Sequence, residues 1–136
     1  MMLNQKGMTL LEMMIVLVIL AGLVAALSTN VLDTWEKAKY KQATIQVKEL
    51  EKALAMYLTD CGNYPSEEAG LEALFESSDE CSSWGPRPYI NSGQLKDPWG
   101  RPVVYELQDG IGVIIIWGRD GKEGGSDLNR DIHSAG

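Results

Sequence analysis

The distribution of hydrophobic and polar residues divides the chain into an apolar first stretch and a mixed remainder. Residues 8–27 form a run of 20 residues in which Glu12 is the only ionisable side chain. A helix of that length spans roughly 30 Å, the thickness of the hydrocarbon core of a bilayer. The pattern therefore predicts a membrane-spanning helix over residues 8–30, preceded by a short polar segment, residues 1–7.

After residue 30 the pattern becomes that of an amphipathic helix over residues 31–59. Its apolar positions recur at spacings of three and four, which places them on one helical face. They are Ala43, Val47, Leu50, Leu54 and Tyr57. We expect one continuous helix whose first half lies in the membrane and whose second half packs on a globular head, residues 31–136.

Turn residues and short apolar runs predict the rest of the head. Gly62 and Asn63 end the long helix, and Ser66 is a candidate N-cap for a short helix over residues 68–76. That helix would bury Leu71, Leu74 and Phe75. A loop rich in serine, glycine and proline follows at residues 77–88.

Two strands are predicted near the C-terminus. Residues 103–107 and 111–117 are rich in β-branched and aromatic side chains, and the Asp-Gly pair at residues 109 and 110 favours a tight hairpin turn between them. The second strand is apolar nearly throughout, so we expect both of its faces to be covered, one of them by the long helix. Residues 97–102 (Asp-Pro-Trp-Gly-Arg-Pro) predict a turn into the hairpin. The expected fold class is α+β.

The charge balance argues against a nucleic-acid partner. The net charge of the 136 residues is −7, and without Lys6 it would be −8. An acidic surface of this kind is repelled by phosphate backbones. Lys6 is the only charge before the apolar run, which favours a cytoplasmic leader and an exported head.

Both cysteines, Cys61 and Cys81, lie beyond the apolar run. If the head is exported to an oxidising compartment, the pair is placed to form a disulfide, which would stabilise the fold by about 3 kcal/mol in the chain-entropy model. Two free buried thiols are the alternative. A metal site built from two cysteines, with the single histidine distant at His133, is not expected.

Glu12 needs an explanation because a bare carboxylate in the bilayer core costs on the order of 2.5–3.5 kcal/mol. A secretory signal peptide does not normally carry a glutamate at the start of its apolar region, and no sharp small-x-small cleavage site follows. A signal anchor with an incidental glutamate is the stronger alternative. A glutamate with a dedicated partner is the interpretation we favour.

Residues 6–12 (Lys-Gly-Met-Thr-Leu-Leu-Glu) resemble the processing site of type IV pilins and pseudopilins. The resemblance implies that a prepilin peptidase cuts after Gly7 and that Met8 becomes the methylated N-terminus. Glu12 would then be the fifth residue of the mature chain. It would pair with the α-amine of Met8 on a neighbouring subunit as subunits stack into a filament, and a buried acid that requires this partner would set their register.

Three further segments resemble the major pseudopilins of type II secretion systems: residues 64–65 with residues 70–74, residues 97–102 and residues 118–125. The resemblance implies a type IV pilin-like fold, a single inner-membrane span and a periplasmic head. It also implies polymerisation into a helical pseudopilus that drives folded proteins across the outer membrane, with minor pseudopilins and an inner-membrane assembly platform as partners. The alternatives are a type IV pilin for adhesion, motility or DNA uptake, and a minor pseudopilin.

Four acidic residues lie close together in the glycine-rich C-terminal loop: Asp120, Glu123, Asp127 and Asp131. Carboxylates and turned carbonyls suit calcium, which takes about six to eight oxygen ligands. From the residues alone, a solvated acidic loop is as good an interpretation. The resemblance implies a structural calcium ion held by Asp120, Asp127 and Asp131 and by the carbonyls of Trp117 and Gly125. Glu123 is expected to cap the loop or to face solvent.

No catalytic arrangement is predicted. His133 has no serine or cysteine nucleophile motif to accompany it and falls in a stretch that we expect to be an unstructured tail. Residues 110–112 (Gly-Ile-Gly) are too short for a phosphate-binding loop. A structural, non-enzymatic role is therefore expected.

Overall fold

The computed structural model describes residues 6–134, so residues 1–5 of the predicted leader lie outside the described part of the chain. By internal contacts the chain divides into two units, Met1–Trp35 and Glu36–Gly136. The first unit contains the apolar part of a long helix. The second contains the rest of that helix, a small sheet and the hydrophobic core found among the described residues.

One helix, α1 (Leu10–Cys61), comprises 52 residues and confirms the prediction of a continuous helix. Its sequence contains no proline and is rich in leucine, alanine, methionine and lysine, which are strong helix formers. The helix ends where Gly62, with φ of 82°, donates its N–H to the carbonyl of Leu58 at 2.8 Å. That left-handed glycine cap is the stop signal expected from the sequence.

The N-terminal part of α1 exposes its apolar side chains. By length and composition α1 is able to cross a membrane, and its most apolar 18-residue window has a mean hydropathy of 2.8 with no buried residue. Relative exposure reaches 81% at Leu10 and 72% at Val18. Apolar surface on this scale requires lipid or neighbouring protein around it.

Within the second unit, one face of α1 forms the centre of the core. All five residues of the predicted apolar stripe are buried, with Ala43 and Leu50 at 0% exposure. They pack in one cluster with side chains of the sheet, among them Ile114 and Ile116. Burial of each large apolar side chain contributes about 2 kcal/mol, so the stripe attaches the helix firmly to the head.

The predicted α-helix over residues 68–76 is wrong in type and length. The segment forms a short 3₁₀ helix, Gly70–Leu74. Gly70 has φ of 63°, outside the helical region, and therefore interrupts any regular α-helix at its start. The predicted Ser66 cap is wrong as well: Ser66 Oγ accepts the N–H of Ala69 at 3.1 Å, but the helix begins later, its N-cap residue is Ala69 and no side chain caps it. Leu71 and Leu74 are buried as expected, and Phe75 is partly buried.

Three antiparallel strands form one sheet in the order β1-β2-β3. Strands β1 (Val104–Gln108) and β2 (Ile111–Ile116) make the predicted hairpin, with Gln108 opposite Ile111. The two turn residues, Asp109 and Gly110, have φ of 53° and 81°. Positive φ at both positions defines the type I′ turn whose twist matches that of the strands.

The third strand, β3 (Ile132–His133), was not expected. It pairs with β2, so that Ile116 lies opposite Ile132 and Ile115 opposite His133. Ser134 completes the pairing, because its N–H donates to Ile114 O and its hydroxyl accepts the N–H of Ile114, both at 2.9 Å. The expectation of an unstructured tail around His133 is therefore wrong.

Residues 97–102 form the predicted turn before β1. The Asp97 N–H donates to Arg101 O at 2.8 Å, and the Gly100 N–H donates to Asp97 O at 3.0 Å. The Asp97 carboxylate completes the turn, since its Oδ1 accepts the N–H groups of Trp99 and Arg101 at 3.0 and 2.9 Å. Asp97 is consequently buried although it carries a charge.

Candidate functional site

The start of α1 presents the predicted processing and assembly residues. Gly7 and Met8 precede the helix and are exposed. Thr9 caps the helix: its Oγ1 accepts the N–H of Glu12 at 3.2 Å, and its carbonyl accepts the N–H of Met13 at 3.2 Å. The Gly7–Met8 bond therefore lies outside regular structure, where a peptidase can reach it.

Glu12 lies in the first turn of α1 and is exposed. Its carboxylate is favoured there by the positive end of the helix dipole. Within residues 6–134 it forms no ion pair. Residues 9–12, Thr-Leu-Leu-Glu, match the capping-box pattern, which is readable from the sequence. Glu12 thus stabilises the start of the helix.

The acidic loop, residues 118–131, follows β2 and returns to β3. Its two ends are joined by the N–H of Arg119, which donates to Leu128 O at 2.8 Å. Gly118 and Gly125 lie directly against the backbone of Asn129, where any Cβ would fall far inside van der Waals contact. These two glycines are therefore required for the chain to fold back on itself.

The predicted carboxylate ligands occupy different environments in this loop. Asp120 is exposed and accepts the N–H of Lys122 at 3.1 Å, and Asp127 is exposed with φ of 52°. Asp131 is partly buried, and its Oδ2 accepts the N–H of Gly124 at 2.7 Å. The other oxygen, Asp131 Oδ1, is buried and has no hydrogen-bond partner.

Within residues 6–134, no three acidic, histidine or cysteine side chains are arranged to hold a metal ion. The structure thus does not bring Asp120, Asp127 and Asp131 together. The Trp117 carbonyl, a predicted ligand, accepts a hydrogen bond from Arg101 Nη2 at 3.2 Å. The donor chemistry nevertheless fits calcium, since hard oxygen donors line the loop and the buried Asp131 Oδ1 lacks a partner.

A cavity of about 360 Å³ lies beside Asp131 on the outer face of the sheet. Its apolar lining comes from the sheet and Trp117, and its polar lining includes Glu106, Glu123 and His133. Glu123 is exposed, in agreement with its expected orientation toward solvent. Glu106 of β1 therefore adds a carboxylate beside the acidic loop.

The two cysteines are paired in the structure. Cys61 at the end of α1 and Cys81 have Cα atoms 5.2 Å apart and are separated by 20 residues in sequence. The aromatic side chains of Tyr57, Trp84 and Tyr89 pack edge to face nearby. Burial, as the largest cause, raises the pKa values of the Tyr57 and Tyr89 phenols above their usual value.

Tyr105 on β1 joins the sheet to the segment after the disulfide. Its hydroxyl donates to Pro65 O at 2.8 Å, and its ring lies over Gly112, beside Tyr64. Burial raises the pKa of this phenol to about 12, with smaller contributions from the neighbouring tyrosines and glutamates. Its neutral form is therefore favoured in the folded protein.

Comparison with known proteins identifies the family. Residues 30–135 match the family model described as type II secretion system (T2SS), protein G, and residues 2–28 match the prokaryotic N-terminal methylation motif. The type II secretion system core protein G of Vibrio cholerae is 39% identical over 135 residues, covering 95% of this chain and 90% of that protein. The Pseudomonas aeruginosa protein of the same name is 38% identical over 135 residues, covering 95% and 94%.

A solved structure matches as well. The major pseudopilin from the type 2 secretion system of enterohaemorrhagic Escherichia coli is 27% identical, with a TM-score of 0.59 over 77% of this chain and 93% of that chain. These findings confirm the predicted α+β pilin-like fold and the predicted role as a major pseudopilin subunit. The alternative of a type IV pilin is not favoured. The chain belongs to the type II secretion system protein G family, the major pseudopilins.

Proposed function

We propose that this protein is made as a precursor, cut after Gly7 by a prepilin peptidase and methylated on Met8. Residues 8–30 then anchor it in the inner membrane, with the head, residues 31–136, in the periplasm. The match to the N-terminal methylation motif and the exposed apolar start of α1 support this order of events. The exposed Gly7–Met8 bond is in keeping with cleavage at that position.

The mature subunit polymerises into a periplasmic pseudopilus that moves folded proteins across the outer membrane. The single observation that carries this proposal is the exposed apolar stretch of α1, in which Glu12 is the one ionisable side chain. Such a surface is covered by lipid before assembly and by neighbouring helices afterwards. Glu12 then pairs with the α-amine of Met8 on the next subunit, because a carboxylate among packed helices requires a cation.

A structural calcium ion belongs to this proposal. Asp120, Asp127 and Asp131, with the carbonyls of Trp117 and Gly125, would hold it. The ion would neutralise carboxylates that otherwise repel one another in a loop with few apolar side chains. The buried, unpartnered Asp131 Oδ1 supports the choice of that residue.

The role is structural and needs no catalysis. His133 lies on β3 and is exposed, and no nucleophilic side chain accompanies it in a recognisable motif. The partners are further copies of the subunit, minor pseudopilins and the inner-membrane assembly platform. Nucleic acid is not among them, since the net charge of −7 opposes binding to phosphate.

The test is a deletion strain in which secreted proteins are measured in the medium and in the periplasm while surface pili are imaged. Secreted proteins trapped in the periplasm, with pili intact, would support the proposed function. Normal secretion with loss of pili or twitching would contradict it. Complementation with the wild-type chain controls for effects on neighbouring genes.

A further inference from the structure

Arg101 contacts two separate parts of the head through one side chain. Its Nε lies 3.2 Å from Asp97 Oδ2, an ion pair outside hydrogen-bond geometry. Its guanidinium carbon lies 5.2 Å from the centre of the Trp99 ring. Its Nη2 donates to Trp117 O at 3.2 Å and to Gly118 O at 2.7 Å. The side chain therefore joins the turn at residues 97–102 to the start of the acidic loop.

The turn on one side of Arg101 is fixed to α1. The Trp99 indole N–H donates to Glu36 at 3.0 Å, and the Gln46 amide donates to Lys96 O at 2.7 Å. The Asp97 side chain is only 2% exposed and also accepts two backbone N–H groups of its own turn. Arg101 therefore extends from a turn that is fixed to α1.

On the other side, two backbone carbonyls at the start of the acidic loop accept hydrogen bonds from Arg101. The Gly118 carbonyl accepts the N–H of Gly121 at 3.0 Å in addition to Arg101 Nη2. The guanidinium occupies the place that a side chain at residue 121 would need. A carbonyl that accepts from a guanidinium makes a charge-assisted hydrogen bond, roughly twice as strong as a neutral one.

We propose that Arg101 is a positioning residue that holds residues 117–121 in their folded conformation without a metal ion. In this arrangement the first part of the acidic loop is fixed by an internal cation. Calcium then has its ordering effect on the later part, around Asp127 and Asp131. The statement about calcium rests on the function proposed above, whereas the statement about Arg101 rests on its own contacts.

Lysine cannot replace Arg101 in this role. The guanidinium places Nε beside the Asp97 carboxylate while Nη2 donates to the two carbonyls, and its flat face covers Trp99. An ammonium is a single point of charge and cannot satisfy both directions at once. Lysine would retain the positive charge but would lose either the contact with Asp97 or the hydrogen bonds to the carbonyls of residues 117 and 118.

The experiment is amide hydrogen exchange, resolved by residue, on the full chain in detergent micelles, with EGTA or with calcium. The variants are Arg101→Met and Arg101→Lys, with Arg87→Met as a matched control because Arg87 is an exposed arginine of the head. In EGTA we expect Gly121 to exchange about tenfold faster or more in Arg101→Met and by an intermediate factor in Arg101→Lys. The control and the Leu50 amide of α1 should match wild type.

Two results in EGTA would overturn the inference. One is a Gly121 exchange rate in Arg101→Met that equals that of wild type. The other is an equal acceleration at Leu50, which would mean a general loss of stability rather than local positioning. The calcium arm is read separately: if calcium leaves the exchange of Asn129 unchanged in wild type, the proposed calcium site is wrong and the Arg101 result stands.

Discussion

Tyr105 illustrates how a single side chain connects segments that are distant in sequence. Its hydroxyl reaches Pro65, 40 residues earlier in the chain, and its ring lies beside Tyr64 over the backbone of Gly112. A side chain at residue 112 would collide with both rings. The glycine and the two tyrosines therefore form one packed unit, in which burial disfavours ionisation of Tyr105.

Alkaline pH should destabilise the head through Tyr105. The pKa of this phenol is about 12 in the folded protein and 10.0 unperturbed. Below pH 10 the Tyr105 phenol is protonated in both the folded and the unfolded protein, so its contribution to the free energy of unfolding is fully present. Between pH 10 and 12 the unfolded chain ionises while the folded protein does not, so stability is lost.

The variant Tyr105→Phe makes this measurable by urea unfolding across that pH range. At pH 8 it should be less stable than wild type by about 1 kcal/mol, since the hydrogen bond to Pro65 is lost. The difference should shrink as pH rises from 10 to 12. Parallel pH curves for the two proteins would show that Tyr105 does not ionise differently on unfolding.

At the scale of elements, the disulfide between Cys61 and Cys81 links the end of α1 to the segment that follows the helix, residues 62–81. Between Cys61 and Cys81 lies the Gly70–Leu74 helix, which buries Leu71, Ala73 and Leu74. This segment also reaches β1, because Glu67 accepts the N–H of Leu107 at 2.8 Å. The cross-link therefore restrains a segment that has little regular structure of its own.

Replacing both cysteines, Cys61→Ser and Cys81→Ser, should lower the free energy of unfolding by about 3 kcal/mol, because the unfolded chain loses a restraint across 20 residues. Urea unfolding with and without dithiothreitol measures this. Dithiothreitol should lower the free energy of unfolding of the wild-type protein to a similar extent and leave that of the double variant unchanged. A wild-type protein indifferent to dithiothreitol would mean that the bond does not form in the purified protein.

The acidic loop gives a second prediction at this scale. Chelation of calcium should lower the Tm of wild type, because the carboxylates of Asp120, Asp127 and Asp131 would be left uncompensated. Asp131→Asn should remove most of the calcium-dependent shift in Tm, whereas Glu123→Gln, an equal charge change in the same loop, should retain it. Equal shifts in both variants would contradict the assignment of Asp131.

At the scale of the whole molecule, we expect assembly to depend on Glu12. Glu12→Gln should still insert and be cut after Gly7 but should fail to polymerise, since the neutral amide cannot form a charge pair with the α-amine of Met8. Cross-linking of subunits in membranes and secretion into the medium are the measurements. Glu68→Gln, at an exposed acid of the head, is the matched control. Normal polymerisation of Glu12→Gln would remove the charge pair from the assembly mechanism.

Much of this protein was readable from local sequence patterns. The apolar run, the stripe that begins at Ala43, the Gly62 stop and the Asp-Gly hairpin were all predicted, and all appear in the structure. Each depends on residues within one or two turns of the chain, where spacing and turn chemistry act directly. The Thr9 cap was equally local and was overlooked.

Only the tertiary structure decided the rest, because the contacts involved join residues far apart in sequence. The two residues of β3 have no strand signal of their own and are held by pairing with β2, which Ser134 extends through its hydrogen bonds with Ile114. Arg101 finds its carbonyl partners 16 and 17 residues later, and Trp99 finds Glu36 at a separation of 63. Such pairings follow from the closure of the fold, which no local pattern specifies.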